Sequence, residues 1–280
     1  MCRFCTQHGD GKLWYLRAEN YIADLDADLE RRGYMIEFAQ GFKTMRPKAL
    51  LGAKVLDVLP NKLADPIRSR VTARQEEHHF GQPVPIEECE RIFDIATSIV
   101  RLPCICRTHA GKPDNAVCLA VTTHPNDSTL SEVVAGFDAG PDVAPLQRLT
   151  KEQALELLRE CERDGLMHSV WTFKSPLIGA ICNCDMESGC LAMRMNVGHN
   201  IKTMWRGEYV AVLDKEKCTG CGACVKRCPF FAFDPPASKG APAVLRAVDC
   251  WGCGVCRSAC RADALSLTPR SSVPELSQLW

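Results

Sequence analysis

Cys218-Thr-Gly-Cys221-Gly-Ala-Cys224-Val-Lys-Arg-Cys228-Pro229 returns further along the chain as Cys250-Trp-Gly-Cys253-Gly-Val-Cys256-Arg-Ser-Ala-Cys260. Each run has the spacing C-x2-C-x2-C-x3-C, and the first ends in Cys-Pro. A short loop with two-residue gaps turns three successive thiolates onto three corners of one iron–sulfur cube. The fourth cysteine, carried on the helix that follows, points to the other cube. The ligand sets therefore cross: Cys218, Cys221, Cys224 and Cys260 for one [4Fe-4S] cluster, and Cys250, Cys253, Cys256 and Cys228 for the other. Gly220, Gly222, Gly252 and Gly254 suit such loops, because a residue without Cβ tolerates positive φ and lets backbone N–H groups approach sulfur. Paired zinc sites place their C-x2-C units further apart, so a zinc reading fits this double run poorly.

Residues 209–269 resemble the bacterial-type two-[4Fe-4S] ferredoxins. The resemblance implies a small pseudo-two-fold β-α-β repeat with two low-potential, one-electron clusters close enough for rapid exchange. Tyr209-Val-Ala-Val-Leu213, Ala243-Val-Leu-Arg-Ala-Val248 and Leu265-Ser-Leu267 read as its strands. Arg261 stands where the second run of that family carries proline, which affects the local turn more than ligation.

Such a domain needs only about sixty residues, so most of the 280-residue chain is something else. Lysine plus arginine balance aspartate plus glutamate at 34 each, which leaves no electrostatic footprint for nucleic acid. No segment is long and apolar enough to span a bilayer, and the start has no apolar signal region. Eighteen cysteines without an export signal point to metal or redox chemistry in the cytoplasm.

At the N-terminus, Cys2-Arg-Phe-Cys5-Thr-Gln-His8 begins with C-x2-C among glycines. Cys2 and Cys5 are candidate metal ligands completed by cysteines from elsewhere, with His8 a weaker candidate. Residues 18–32 carry apolar side chains at intervals of three and four, predicting an amphipathic helix that Gly33 ends. Residues 42–59 are mixed, and a second helix is expected over 65–80, where His78 and His79 serve as caps. Its arginines read as a solvated face. Pro85 opens a helix expected over 86–100, with Cys89 in its apolar stripe as a core residue. A short helix is expected at 128–135 and a Gly/Pro-rich connection at 138–145. Thr150 caps a helix over 151–163 that Gly165 ends, with Cys161 on its apolar face. Residues 166–173 read as extended, and a helix is expected over 191–204.

Cys104, Cys106, Cys118, Cys182, Cys184 and Cys190 remain, read as lying in loops flanked by Pro and Gly. With four thiolates per standard cluster, this cage is expected to hold at least one further Fe–S cluster; structural zinc or simply buried thiols are the alternatives. The middle region is also similar to a group of multi-cluster ferredoxin-domain proteins of anaerobic bacteria and archaea. Pro103-Cys104-Ile-Cys106-Arg107, Gly165-Leu-Met-His168 and Ile181-Cys182-Asn-Cys184 match its segments in order, over residues 86–269. The group often carries a dense cysteine run after the last segment, where this chain has Asp185-Met-Glu-Ser188.

The expected architecture is α+β. A helical segment with the C-x2-C loop (1–84) and a largely helical, cysteine-rich middle domain (85–207) precede the two-cluster ferredoxin domain (208–270) and a tail (271–280). The expected function is an iron–sulfur electron-transfer protein working in a hetero-oligomer with a larger redox enzyme or flavoprotein subunit. A reductase with a substrate-accessible central cluster is the alternative, with His168, Arg107 or Asp185 delivering protons. No nucleotide-binding signature is present.

Overall fold

The structure is a computed structural model and describes residues 13–21, 28–111, 116–124, 146–187, 189–277 and 279. Cys2, Cys5, His8, the helix expected at 128–135 and the connection at 138–145 lie outside the described residues. The class is α+β, as expected, but the balance within the middle region differs from the helical one foreseen. Its centre is a six-stranded antiparallel sheet. The strands are β1 (Gly81–Pro83), β2 (Ser98–Leu102), β3 (Cys118–Thr122), β4 (Gln147–Arg148), β5 (Met167–Thr172) and β6 (Ile178–Cys184). Their spatial order is β1-β5-β6-β3-β2-β4.

Both faces of the sheet are covered, so polar strand residues such as Ser98, Thr122, His168 and Asn183 are buried along with the apolar ones. One face carries Ile99, Leu119, Val121, Val170 and Ile181 and packs against two amphipathic helices, α3 (Ile86–Ile95) and, further along the chain, Lys151–Asp164. Cys89 and Cys161 are fully buried in this core, as their places on the apolar stripes require. The helix expected over 86–100 stops at Ile95, because β-branched Ile99 and Val100 pair with β3 in register. The helix expected over 151–163 is Lys151–Asp164, one residue longer. Thr150 and Gln153 form a capping box, and Gly165 closes the end at φ 88°.

A long helical hairpin covers the other face. The helix expected over 18–32 is corrected: Ala18–Asn20 is a single 3-10 turn and Tyr21 bridges Ile178, while α1 (Leu29–Val58) starts at Leu29 and runs past Gly33. α2 (Asn61–His78) begins one turn earlier than expected. Gly33, Gly41 and Gly52 meet nothing within 4 Å of a built Cβ, so each costs only its propensity, about 1 kcal/mol. Packing offsets that cost. Met35 and Ala39 lie against Ile105, Phe173 and Leu177, while Ala53 and Leu56 lie against Ala64, Met195 and Ile201. After α4 (Ile105–Thr108), the helix Lys151–Asp164 is α5, and α6 (Leu191–Met193) continues only as a wide turn to Gly198, short of the helix expected to 204.

The C-terminal unit pairs β7 (Tyr209–Leu213) with β10 (Leu265–Pro269), and β8 (Phe233–Asp234) with β9 (Val244–Leu245), both antiparallel. Between them stand α7 (Ala223–Arg227) and α8 (Val255–Ser258). The strand expected over 243–248 is only two residues long, because a single helical turn at Ala247–Asp249 brings the chain into the second cysteine run. Leu276 is buried in this unit's core, so the tail folds back onto it. No helix among the described residues is long and apolar enough to cross a membrane.

Candidate metal centres

In the C-terminal unit the two cysteine runs fold alike. Gly222 (φ 70°) caps α7 and Gly254 (φ 78°) caps α8, so Cys224 and Cys256 each enter a first helical turn. Ala232 N–H donates to Cys228 Sγ at 3.4 Å, and Ala264 N–H to Cys260 Sγ at 3.3 Å, four residues on in both cases. Ala211 and Gly252 N–H groups converge on Cys250 Sγ at 3.3 and 3.4 Å. Backbone dipoles aimed at sulfur stabilise thiolate. Burial pushes the Cys253 and Cys256 thiols well up, and the thiols of Cys228 and Cys250 raise both further. Cys228 thus neighbours the second run, packed in one cluster with Cys253. Cys224 is instead raised by burial and then by Cys218 and Cys221 of its own run.

The six middle cysteines are drawn from four chain segments into one ring. Side-chain hydrogen bonding joins Cys104 to Cys106 and Cys118, Cys118 to Cys182, Cys182 to Cys184, Cys184 to Cys190, and Cys190 back to Cys106. Strand register explains the ring. Leu102 pairs with Cys118, Leu119 with Ile181 and Ala120 with Ala180, so the next step of the β3–β6 ladder sets Cys118 beside Cys182. Cys182 and Cys184 share a face through the two-residue strand period. Cys104 follows β2 and caps α4, Cys106 lies in α4, and Cys190 precedes α6. The expectation that these cysteines sit in loops is therefore corrected. Cys118, Cys182 and Cys184 are strand residues, and the sheet supplies the convergence attributed to loops.

Hydrogen bonding to Cys106 and Cys118 holds Cys104 well below the usual thiol range against burial. The bond to Cys104 pushes Cys106 and Cys118 well above it, and burial adds to that shift. Cys182 and Cys184 also go well up, through Cys118 and Cys182 respectively and then through burial. Cys104, Cys118, Cys184 and Cys190 are buried and Cys106 and Cys182 half-buried, and thiols so placed cannot all ionise together unless positive charge lies among them. All sixteen described cysteines are free of disulfides.

Asn183, which the sequence reading passed over, braces the ring together with His168, Arg107 and Asp185, which that reading named as proton donors. Asn183 lies between Cys182 and Cys184 on the opposite face of β6. Its Nδ2 donates to the Val117 carbonyl beside Cys118, and its Oδ1 meets His168 Nδ1 at 2.6 Å. His168 is fully buried, with Nε2 3.7 Å from Glu162, and burial pushes its pKa down to about 4. Arg107 and Asp185 form an ion pair at 3.6 Å that ties the Cys106 segment to the Cys184 segment. Strict alternation along β6 was the signal that could have singled out Asn183.

The two centres share an apolar cluster. Cys182, Cys184 and Cys190 pack through Met167, Met193 and Phe230 to Cys253 and Cys228. Phe230 stacks on Trp251 at 4.7 Å and 7°. Arg257 beside Cys256 holds Glu87 of α3 through two bonds of 2.7 Å, and Ser258 donates to the Glu162 carbonyl of α5. Buried Arg270 donates to the carbonyls of Gly207, Tyr209 and Cys250 at 2.8–2.9 Å. By contrast, Cys221 is exposed and Cys218 half-buried.

Residues 211–234, which contain the whole first cysteine run, match the family described as a 4Fe-4S binding domain. The chain therefore carries a 4Fe-4S binding domain near its C-terminal end, and with it an iron–sulfur electron-transfer role in general terms. No curated protein matches the chain.

Proposed function

We propose that this protein relays single electrons between an exposed cluster site, a buried one and a third site in the middle of the chain. Cys218, Cys221, Cys224 and Cys260 would hold the first, and Cys250, Cys253, Cys256 and Cys228 the second. The ring of Cys104, Cys106, Cys118, Cys182, Cys184 and Cys190 would hold at least one further cluster. When bound, such clusters supply low-potential, one-electron chemistry. The observation that carries this reading is the shared apolar cluster joining the thiols of the second site to those of the ring.

The protein's own groups set the order. The exposed Cys221 end is the port for a larger redox enzyme or flavoprotein, the Arg257–Glu87 and Arg270 contacts hold the units in register, and the buried Cys253 end faces inward. The unit boundaries near residues 84, 207 and 270 belong to the same proposal, with Cys2 and Cys5 as further ligands. The test is a Cys182→Ala/Cys184→Ala double variant, purified anaerobically and reduced stepwise under EPR. The reading expects one signal and its iron to vanish while the two ferredoxin-type signals stay. Unchanged iron and spectra would refute it.

One observation favours a second reading, a reductase in which substrate meets the central site. All six ring thiols line a cavity of about 760 Å³ under the α1–α2 hairpin.

A further inference from the structure

That cavity is larger than a thiol site needs, and its chemistry changes from one end to the other. Its thiol end is the cysteine ring. Two residues beyond the Cys118–Cys182 position, about 7 Å along the sheet, the floor is the cross-strand pair Ala120–Ala180. Two methyl groups there leave the floor low. The wall at this end is aromatic: the His79 ring lies 4.7 Å from Phe38, 4.8 Å from Phe173 and 4.9 Å from Trp171. Phe42 continues the wall toward α4.

Of the described lining residues only Lys48 carries a fixed charge, and besides the thiols and the Trp171 indole only Gln75, His79 and Thr203 are polar. His79 Nδ1 meets the Thr172 carbonyl at 2.6 Å, and a carbonyl can only accept. Nδ1 therefore carries the proton, and Nε2 is the acceptor of a neutral ring. At the rim, Leu51, Val55 and Ile67 on the hairpin are 65%, 48% and 42% exposed while also lining the cavity, which gives an apolar mouth. Volume, apolar walls and a few polar groups match the character of small-molecule sites.

We propose that this cavity binds a flat, uncharged aromatic molecule of two fused rings or similar size, seated over Ala120 and Ala180 against Phe38, His79 and Trp171. This deepens, and rests on, the reading in which a substrate reaches the central thiols. The occupant is a small molecule and not a partner helix, because the hairpin already roofs the sheet and the free space lies beneath it. Stacking on the aromatic wall selects planarity, and the nearly chargeless lining disfavours ions.

The test is calorimetric titration of the full-length, cluster-loaded protein with 2-naphthol under anaerobic conditions, alongside an iron determination. The expected result is one saturable site. Ala180→Phe should fill the floor and weaken binding at least about tenfold with iron content unchanged, and Phe38→Leu, a milder change on the hairpin, should weaken it several-fold. Absence of saturable binding, or an affinity in both variants equal to that of the parent protein, would overturn the proposal even if a third cluster is present. Binding that follows these variants in a chain holding only the ferredoxin-type iron would support the pocket and overturn the central-cluster reading.

Discussion

Gly252→Ala isolates what the cysteine loops demand of the backbone. Gly252 has φ 74°, and a Cβ built there would stand 2.1 Å from the Tyr209 carbonyl oxygen and 2.8 Å from its carbon. Both obstacles are backbone, so relief requires moving β7 by about 1 Å, at a cost of about 1–3 kcal/mol as for other overpacked sites. Positive φ adds about 1–2 kcal/mol for any residue with a Cβ. The total, about 2–5 kcal/mol, falls on the loop whose N–H reaches Cys250 Sγ. Gly222 is the internal control: its φ is 70°, yet nothing lies within 4 Å of a built Cβ, so Gly222→Ala bears only the conformational term. The assay is iron retention and the denaturant midpoint of bleaching for both variants, measured anaerobically. Gly252→Ala should lose iron and unfold well before Gly222→Ala. Equal behaviour of the two variants would refute the close-approach argument, and with it the account of why the loop carries glycine.

Two further predictions follow from buried groups. The pKa of His168 is about 4 in the fold, lowered by burial, against an ordinary 6.5. Between these values the unfolded chain binds the extra proton, so stability is complete above pH 6.5 and falls by about 3 kcal/mol as pH drops to 4. His168→Gln should flatten that part of the pH–stability curve, and a curve as steep as that of the parent protein would contradict the assignment. Arg270→Met leaves three carbonyl acceptors without their guanidinium donor, at a cost of about 2–5 kcal/mol. Proteolysis between the middle region and the C-terminal unit should then accelerate, and an unchanged cleavage rate would argue that the clamp is dispensable.

Where local signals were strong, the sequence already specified the structure. Both cysteine runs, the Thr150 cap, the Gly165 stop and the buried Cys89 and Cys161 all follow from spacing or from short-range chemistry. Positive φ at Gly220, Gly222, Gly252 and Gly254 was equally legible. The long α1 helix was not. Its reading stopped at Gly33 because glycine costs propensity everywhere, whereas here tertiary packing against Phe173 and Ile105 outweighs that cost. The six middle cysteines were read as one group from loop placement, whereas their placement depends on strand register. Cys118 and Cys182 are 64 positions apart in the sequence, and only the β3–β6 ladder makes them neighbours. The cavity was illegible for the same reason, since Ala120 and Ala180 become a floor only once paired.

Iron and acid-labile sulfide per chain on anaerobically purified protein, read with EPR during stepwise reduction, test the central claim most directly. The account predicts about twelve irons or more and a signal beyond the ferredoxin-type pair. About eight irons and no additional signal would contradict it and leave the thiol ring without a cluster.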